Sequence, residues 1–275
     1  MRGGEDGGVP FTLSHVAAVL PLIGRGDGGV WVASGLVAGS MAPDVPFFAD
    51  SLLPGVYRYG AITHRWWAVP TVDAGIAAGM VAAWHGLLRE PLAGLLPLPA
   101  EEPLPRGAAG AGTFVLSAAV GAASHVLWDS FTHPGRAGVR AFPVLERPVA
   151  AGLPLCTVLQ YGTSLLGLAV LRARGRRAEL PSAPQPHPTA AVGLVAAAAV
   201  GAVHRLARRQ RSLVPEFCFG AGAGLAVGAT VYAVLAADRG RVPSVGTAPG
   251  AVPQRVGRCV RPSAAGRRRA GRAPR

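Results

Sequence analysis

The residues best able to do chemistry in this 275-residue chain lie in one stretch, Ser124-His125-Val126-Leu127-Trp128-Asp129-Ser130-Phe131-Thr132-His133. It closes an apolar run, and on a helix residues four apart share a face, so His125, Asp129 and His133 form one stripe. An imidazole and a carboxylate one turn apart make a two-ligand clip for a divalent first-row metal. Polar groups inside such a run are expensive and carry function by default. Three more polar points interrupt or flank apolar runs: Ser14-His15, Pro43-Asp44 and Thr63-His64-Arg65. Asp73 and His85 sit mid-run, too far apart to share a helix turn, so their partners are expected on neighbouring helices. Gln160 and Tyr161 suit hydrogen bonding behind a ligand set. His187 and His204, flanked by loop and arginine, are assigned no role. No phosphate-binding loop, nucleophile elbow or dinucleotide fingerprint is present. Cys156, Cys218 and Cys259 match no paired-cysteine spacing, which argues against a disulfide framework.

The elements that must position these residues are read from hydropathy. Half the chain is hydrophobic, 15% is charged and the mean hydropathy is +0.35, against roughly 25% charge in a soluble domain. Apolar runs recur at 9–23, 28–42, 68–88, 111–128, 154–171, 189–203 and 217–237. They lack the two-residue alternation of a membrane barrel, and helices are the other way to satisfy backbone groups in lipid. The expected fold is an all-α polytopic transmembrane bundle of six or seven helices over 9–237. Gly220, Gly224 and Gly228, four apart, mark a close helix contact. If successive runs cross the membrane, His15 starts the first, Asp44 follows the second, His64 precedes the third, and His125 and Asp129 end the fourth. Alternating directions bring all five to one face. Three imidazoles and two carboxylates suit Zn²⁺, a pair of metals, or Fe or Mn. The plainer alternative is that these groups hydrogen-bond one another and cap helices without a metal.

All 27 basic residues are arginine, and ten of them fall in residues 238–275 against one acid. The sequence pI of 11.4 is therefore a property of that tail. Residues 1–8 and 238–275 are expected to be disordered. The tail has no interleaved aromatics, so no specific nucleic acid is expected, and its arginines suit anionic lipid headgroups. The side of the bundle that bears the tail holds the larger share of arginines, which by the positive-inside rule places it in the cytoplasm and the five candidate ligands at the outer face.

The pieces PFTLSHVAAVLPL, GSMAPDVPFF, ITHRWW, SHVLWDSFTHPG and LQYGTSLLG, in that order over residues 9–237, resemble a bacterial membrane-protein family called domain of unknown function 4184. More distantly, the order of the motifs is similar to the bacterial inner-membrane metal-dependent hydrolases, which are grouped by analogy with zinc-dependent phospholipase C. The resemblance implies a multi-pass protein of the bacterial cytoplasmic membrane with His15, Asp44, His64, His125 and Asp129 as ligands of a divalent metal, zinc first. It also implies a phosphoester or lipid-like substrate. His133 belongs to the motif without an implied role. Arg65 stands where related chains tend to carry Ser, and the Asp-x-Asp form of the distant hydrolases is reduced here to Asp44. Two functions are expected from this reading: a membrane-embedded metal-dependent hydrolase, or a non-enzymatic membrane protein whose His/Asp cluster is structural or only binds metal.

Overall fold

The computed structural model describes residues 12–23, 31–95, 107–177, 188–208 and 213–241. The segment expected to be disordered at 1–8, and residues 242–275 of the one expected at 238–275, lie outside the described residues, while residues 238–241 end the last helix. Among the described residues every named element is helical, and the one extended pairing is an isolated bridge between Pro148 and Pro154.

Among the described residues, five helices are long and apolar enough to cross a membrane. They are α5 (Val69–Ala93), α6 (Gly107–Thr132), α7 (Leu155–Arg177), α8 (Pro188–Ala207) and α9 (Leu213–Arg241). At 1.5 Å per residue, each covers the ~30 Å hydrocarbon core. The run at 189–203 reaches full length because its flanking Pro188, His204 and Arg205 are still helical.

Among the described residues the first two apolar runs form no helix long enough to span, so five candidate spans are found where six or seven were expected. Residues of the first form a short mixed helix, α1 (Thr12–Leu22), ending at Pro21 and Leu22. The second forms α2 (Ala33–Met41), nine residues long. It is followed by a 3-10 turn at Ala42–Asp44 and by α3 (Val45–Ala49), each opened by a proline. Proline cannot donate the next ladder hydrogen bond, so the helix restarts at each one. Nine residues reach about 14 Å, half the core. Such a half-helix is tolerated where protein covers it, and Gly35, Leu36, Ala38, Gly39 and Ser40 of α2 are all buried.

The cover is α6, and the contact is backbone to backbone. A Cβ on Gly39 would lie 2.1 Å from the Ala118 carbonyl oxygen, and one on Gly121 would lie 2.3 Å from that of Leu36. Val32 donates its N–H to Ser117 Oγ, and the His125 ring meets the Ser40 carbonyl. α2 therefore runs beside the second half of α6 in the same direction. α5 packs there in the opposite direction: Val69 meets Ala122 and Val126, while Ala74, Ala77 and Val81 join Ala38, Ala42 and Ala118. α8 and α9 form a second tight pair, in which a Cβ on Gly224 would lie 2.1 Å from the Ala197 carbonyl oxygen and one on Gly228 would lie 2.6 Å from Ala197 Cβ. The small-residue stripe expected at Gly220, Gly224 and Gly228 is this interface.

One face of the bundle thus holds the start of α5, the end of α6, the start of α7, the end of α8 and the start of α9. α1 leaves this face and α2 returns to it. Short helices occupy the loop between α3 and α5, including α4 (Gly60–Thr63).

Candidate metal centre

Each candidate ligand is delivered by a helix end. His15 closes the 3-10 turn that opens α1. Asp44 sits in the turn after α2, and Thr12 Oγ1 donates to its Oδ2 at 2.5 Å. His64 caps the C-terminus of α4, whose Thr63 Oγ1 donates to the Pro43 carbonyl at 2.6 Å and so ties the two loops together. His125 and Asp129 occupy the last turns of α6. The structure places all five together on the face described above, with His133 beside them.

Four of them converge on one point. One ligand atom from each of Asp44, His64, His125 and Asp129 lies within 4.8 Å of the others, and all four residues are buried. His64 Nε2 is 3.6 Å from Asp44 Oδ1 and 3.3 Å from Asp129 Oδ2. His125 Nε2 is 3.4 Å from each of the same two oxygens. Bonds of 2.0–2.2 Å to a tetrahedral ion put neighbouring ligand atoms about 3.4 Å apart. The four nitrogen–oxygen separations scatter about that value.

The other ring nitrogens fix the polarity. His64 Nδ1 lies 2.8 Å from the Gly60 carbonyl, and His125 Nδ1 lies 2.8 Å from the Ser40 carbonyl. A carbonyl only accepts, so each Nδ1 carries hydrogen and donates. In the neutral ring, each Nε2 then presents a bare lone pair. Both Nε2 atoms are buried without a hydrogen-bond partner, facing carboxylate oxygens. Lone pair against lone pair is repulsive, and a cation at the centre reverses the sign. Donation of the second ring N–H to a carbonyl is also the way metal-bound histidines are oriented.

His15 stands at the edge of this group. Its ring stacks on that of His125 with centroids 3.8 Å apart, and its Nε2 is 3.5 Å from Asp129 Oδ1. Burial, and then the neighbouring His125, lower its pKa to about 4, so the ring is neutral and able to ligate at ordinary pH. Burial pushes the Asp44 carboxyl up, but His125 and the neighbouring His64 outweigh it and hold the pKa at about 2. His133 Nδ1 lies 3.5 Å from Asp129 Oδ1, and its Nε2 is 2.8 Å from the Gln160 amide nitrogen. Burial lowers the His133 pKa despite the carboxylate.

Two residues singled out in the sequence lie beside the site. Asp73 opens α5, is fully buried, and neither carboxylate oxygen has a hydrogen-bond partner. It lies where α5 meets α2 and α6, a meeting that no spacing along the chain reveals. Gln160, expected to hydrogen-bond behind the ligand set, does so through His133, its amide nitrogen 2.8 Å from His133 Nε2. Trp66, Trp67 and Trp128, close in sequence to His64 and Asp129, are exposed at 55%, 55% and 45%, in keeping with a belt at the bilayer surface.

A family model described as domain of unknown function (DUF4184) matches residues 9–234. No curated protein and no solved structure matches the chain.

Proposed function

We propose that this chain, which belongs to the family described as domain of unknown function (DUF4184), is a membrane-embedded metal-dependent hydrolase of phosphoesters presented at the bilayer surface. The observation that carries this reading is the pair of buried Nε2 atoms of His64 and His125, which make no hydrogen bond and stand against the carboxylates of Asp44 and Asp129 at ligand spacing. Two imidazoles and two carboxylates suit Zn²⁺ first and Mn²⁺ or Fe²⁺ next. A divalent ion supplies Lewis-acid polarisation of a phosphoryl oxygen and a nucleophile at neutral pH.

The chain's own residues supply the rest. Asp44 and Asp129 neutralise the cation, while the Gly60 and Ser40 carbonyls hold the two ligating rings. His15 is neutral and stacked on His125, with its Nε2 3.5 Å from Asp129, where it would take up or release a proton. His133 stands on Asp129 with its far nitrogen held by Gln160, which orients the carboxylate. The exposed Trp66, Trp67 and Trp128, close in sequence to His64 and Asp129, support a site at headgroup depth, where a lipid phosphoester lies.

A second reading is favoured by the donor count: four protein donors close a tetrahedron, which is the habit of structural metal sites. In that case the ion pins α2, α4 and α6 together without turnover. Activity of the purified metal-loaded chain on a phospholipid and on a soluble phosphodiester separates the two. The hydrolase reading expects turnover that His15→Ala reduces while metal content is kept. Full metal occupancy without turnover on either substrate would favour the structural ion.

A further inference from the structure

A second polar cavity, of 280 Å³, lies on the same face and holds neither the cluster's histidines nor its carboxylates. Arg58, Arg205, Arg208, His204, Asp50 and Glu216 contribute to its wall. We propose that it binds a phosphate-bearing anionic group, presented there by a lipid headgroup.

Its charges do not cancel. Glu216 accepts from Arg205 Nε at 2.5 Å, and the Phe47 carbonyl and Ser51 Oγ accept from Arg205 Nη1 at 2.9 and 2.8 Å. Arg205 Nη2 is buried and forms an ion pair with Asp50 Oδ2 at 3.4 Å. Asp50 is itself committed to its loop, where its Oδ1 accepts from the backbone N–H groups of Gly55 and Tyr57 at 2.8 and 3.1 Å. Both carboxylates are therefore used. Two exposed guanidinium groups remain at the rim: Arg58, which donates to the Tyr59 hydroxyl, and Arg208, which donates to the His204 ring at 3.2 Å. A cavity whose two carboxylates are already paired with Arg205, and whose rim carries the two exposed guanidinium groups of Arg58 and Arg208, favours an anion with several acceptor oxygens, and arginine is the residue that pairs with phosphate in this way.

Its depth favours a lipid source. The wall joins the end of α8 to the start of α9, the level at which spanning helices leave the hydrocarbon. Leu52, Leu53, Leu213 and Phe217, neighbours in sequence of the wall residues, are all exposed, as side chains in contact with acyl chains are. The cavity also adjoins the metal centre: the residue whose carbonyl accepts from Arg205, Phe47, places its ring 5.6 Å from that of His64. A headgroup seated here brings its lipid to the edge of the His/Asp cluster. That consequence rests on the proposed hydrolase, whereas the binding itself does not.

The test is direct binding to the full chain in neutral detergent, titrated separately with short-chain phosphatidylglycerol, short-chain phosphatidylcholine and inorganic phosphate, with metal content measured on the same samples. Phosphatidylglycerol is expected to bind at least about tenfold more tightly than phosphatidylcholine, and the double variant R58Q/R208Q to erase that preference. R140Q/R147Q, which removes two arginines outside the cavity, is expected to keep it. R208Q alone is expected to lose part of it, and metal content is expected to stay unchanged throughout. Inorganic phosphate that binds with the same dependence on Arg58 and Arg208, without competition from phosphatidylglycerol, would support the anion site and assign it to free phosphate. Equal binding of the two lipids without phosphate binding would overturn the proposal. So would an R58Q/R208Q variant with wild-type preference, or a preference lost equally in R140Q/R147Q. A metal-free chain that kept the arginine-dependent preference would sink the hydrolase and leave this site standing.

Discussion

Asp129→Asn keeps the shape of the side chain and removes one charge from the point where four imidazoles converge. Asp129 Oδ2 stands 3.3 Å from His64 Nε2 and 3.4 Å from His125 Nε2, and Oδ1 stands 3.5 Å from both His15 Nε2 and His133 Nδ1. An amide oxygen is a weaker metal ligand than a carboxylate. The amide NH₂ can instead donate to the bare imidazole nitrogens, so the variant satisfies locally what a cation satisfies in the wild type. An ion present at 1,000 times its Kd stabilises the folded chain by about 4 kcal/mol. In a chain of this size, that is a melting shift of about 8–16 °C. The assay is thermal unfolding of the purified protein in detergent, with and without a strong chelator. The wild type is expected to lose about 10 °C on chelation, and Asp129→Asn to melt at one temperature in both buffers. Wild-type melting indifferent to the chelator, or an Asp129→Asn variant as chelator-sensitive as the wild type, would refute the reasoning.

Further outcomes follow from other contacts. His15 has a folded pKa of about 4 against an ordinary 6.5, lowered by burial first and His125 second. The unfolded chain therefore takes up a proton that the folded chain refuses as pH falls from 6.5 toward 4, and stability drops through that window. With chelator present, His15→Gln should flatten the fall between pH 7 and pH 5 by on the order of 2 kcal/mol, read from melting at the two pH values. Gly39→Ala drives a Cβ to 2.1 Å from the Ala118 carbonyl oxygen. It must push α2 from α6, at a cost of about 1–3 kcal/mol, and loosen the Ser40 carbonyl from His125. Gly79→Ala, where a Cβ meets nothing within 4 Å, is the matched control and should keep both stability and metal. Sidedness is read by cysteine labelling in intact cells, on a background with the native cysteines replaced by Ser. Cysteine placed at Pro54 should react with an impermeant reagent and cysteine at Arg177 should not; the reverse pattern would make the site cytoplasmic.

The helical class and the gathering of His15, Asp44, His64, His125 and Asp129 were legible because hydropathy gives the order of helix starts and ends, and order alone assigns a face. The half-length of α1 and α2 was not, since an apolar run reads the same whether lipid or protein covers it. The shared face nevertheless came out unchanged, because two crossings were replaced by one excursion that leaves and returns, and both leave His15 and Asp44 at the same end. Asp73 was noticed as a polar residue inside an apolar run, but the hydrogen-bond partner expected for it on a neighbouring helix is absent among the described residues. Its surroundings are made by α2 and α6, far away in sequence, through contacts such as Val69 with Ala122 and Val126. Arg205 was missed: its guanidinium meets the Phe47 carbonyl across 158 positions of chain, and in sequence it is only one arginine among several at a helix end.

The central claim is that a divalent cation sits between His64, His125, Asp44 and Asp129. X-ray absorption at the metal edge of the purified full chain, with elemental analysis of the same sample, tests it most directly. The account predicts about one metal per chain, with two imidazole nitrogens and carboxylate oxygens at about 2.0–2.2 Å, and loss of the imidazole signal together with most of the metal in His125→Ala. A folded wild-type chain that contains no metal and takes none up, or a bound metal without imidazole in its shell, would contradict it.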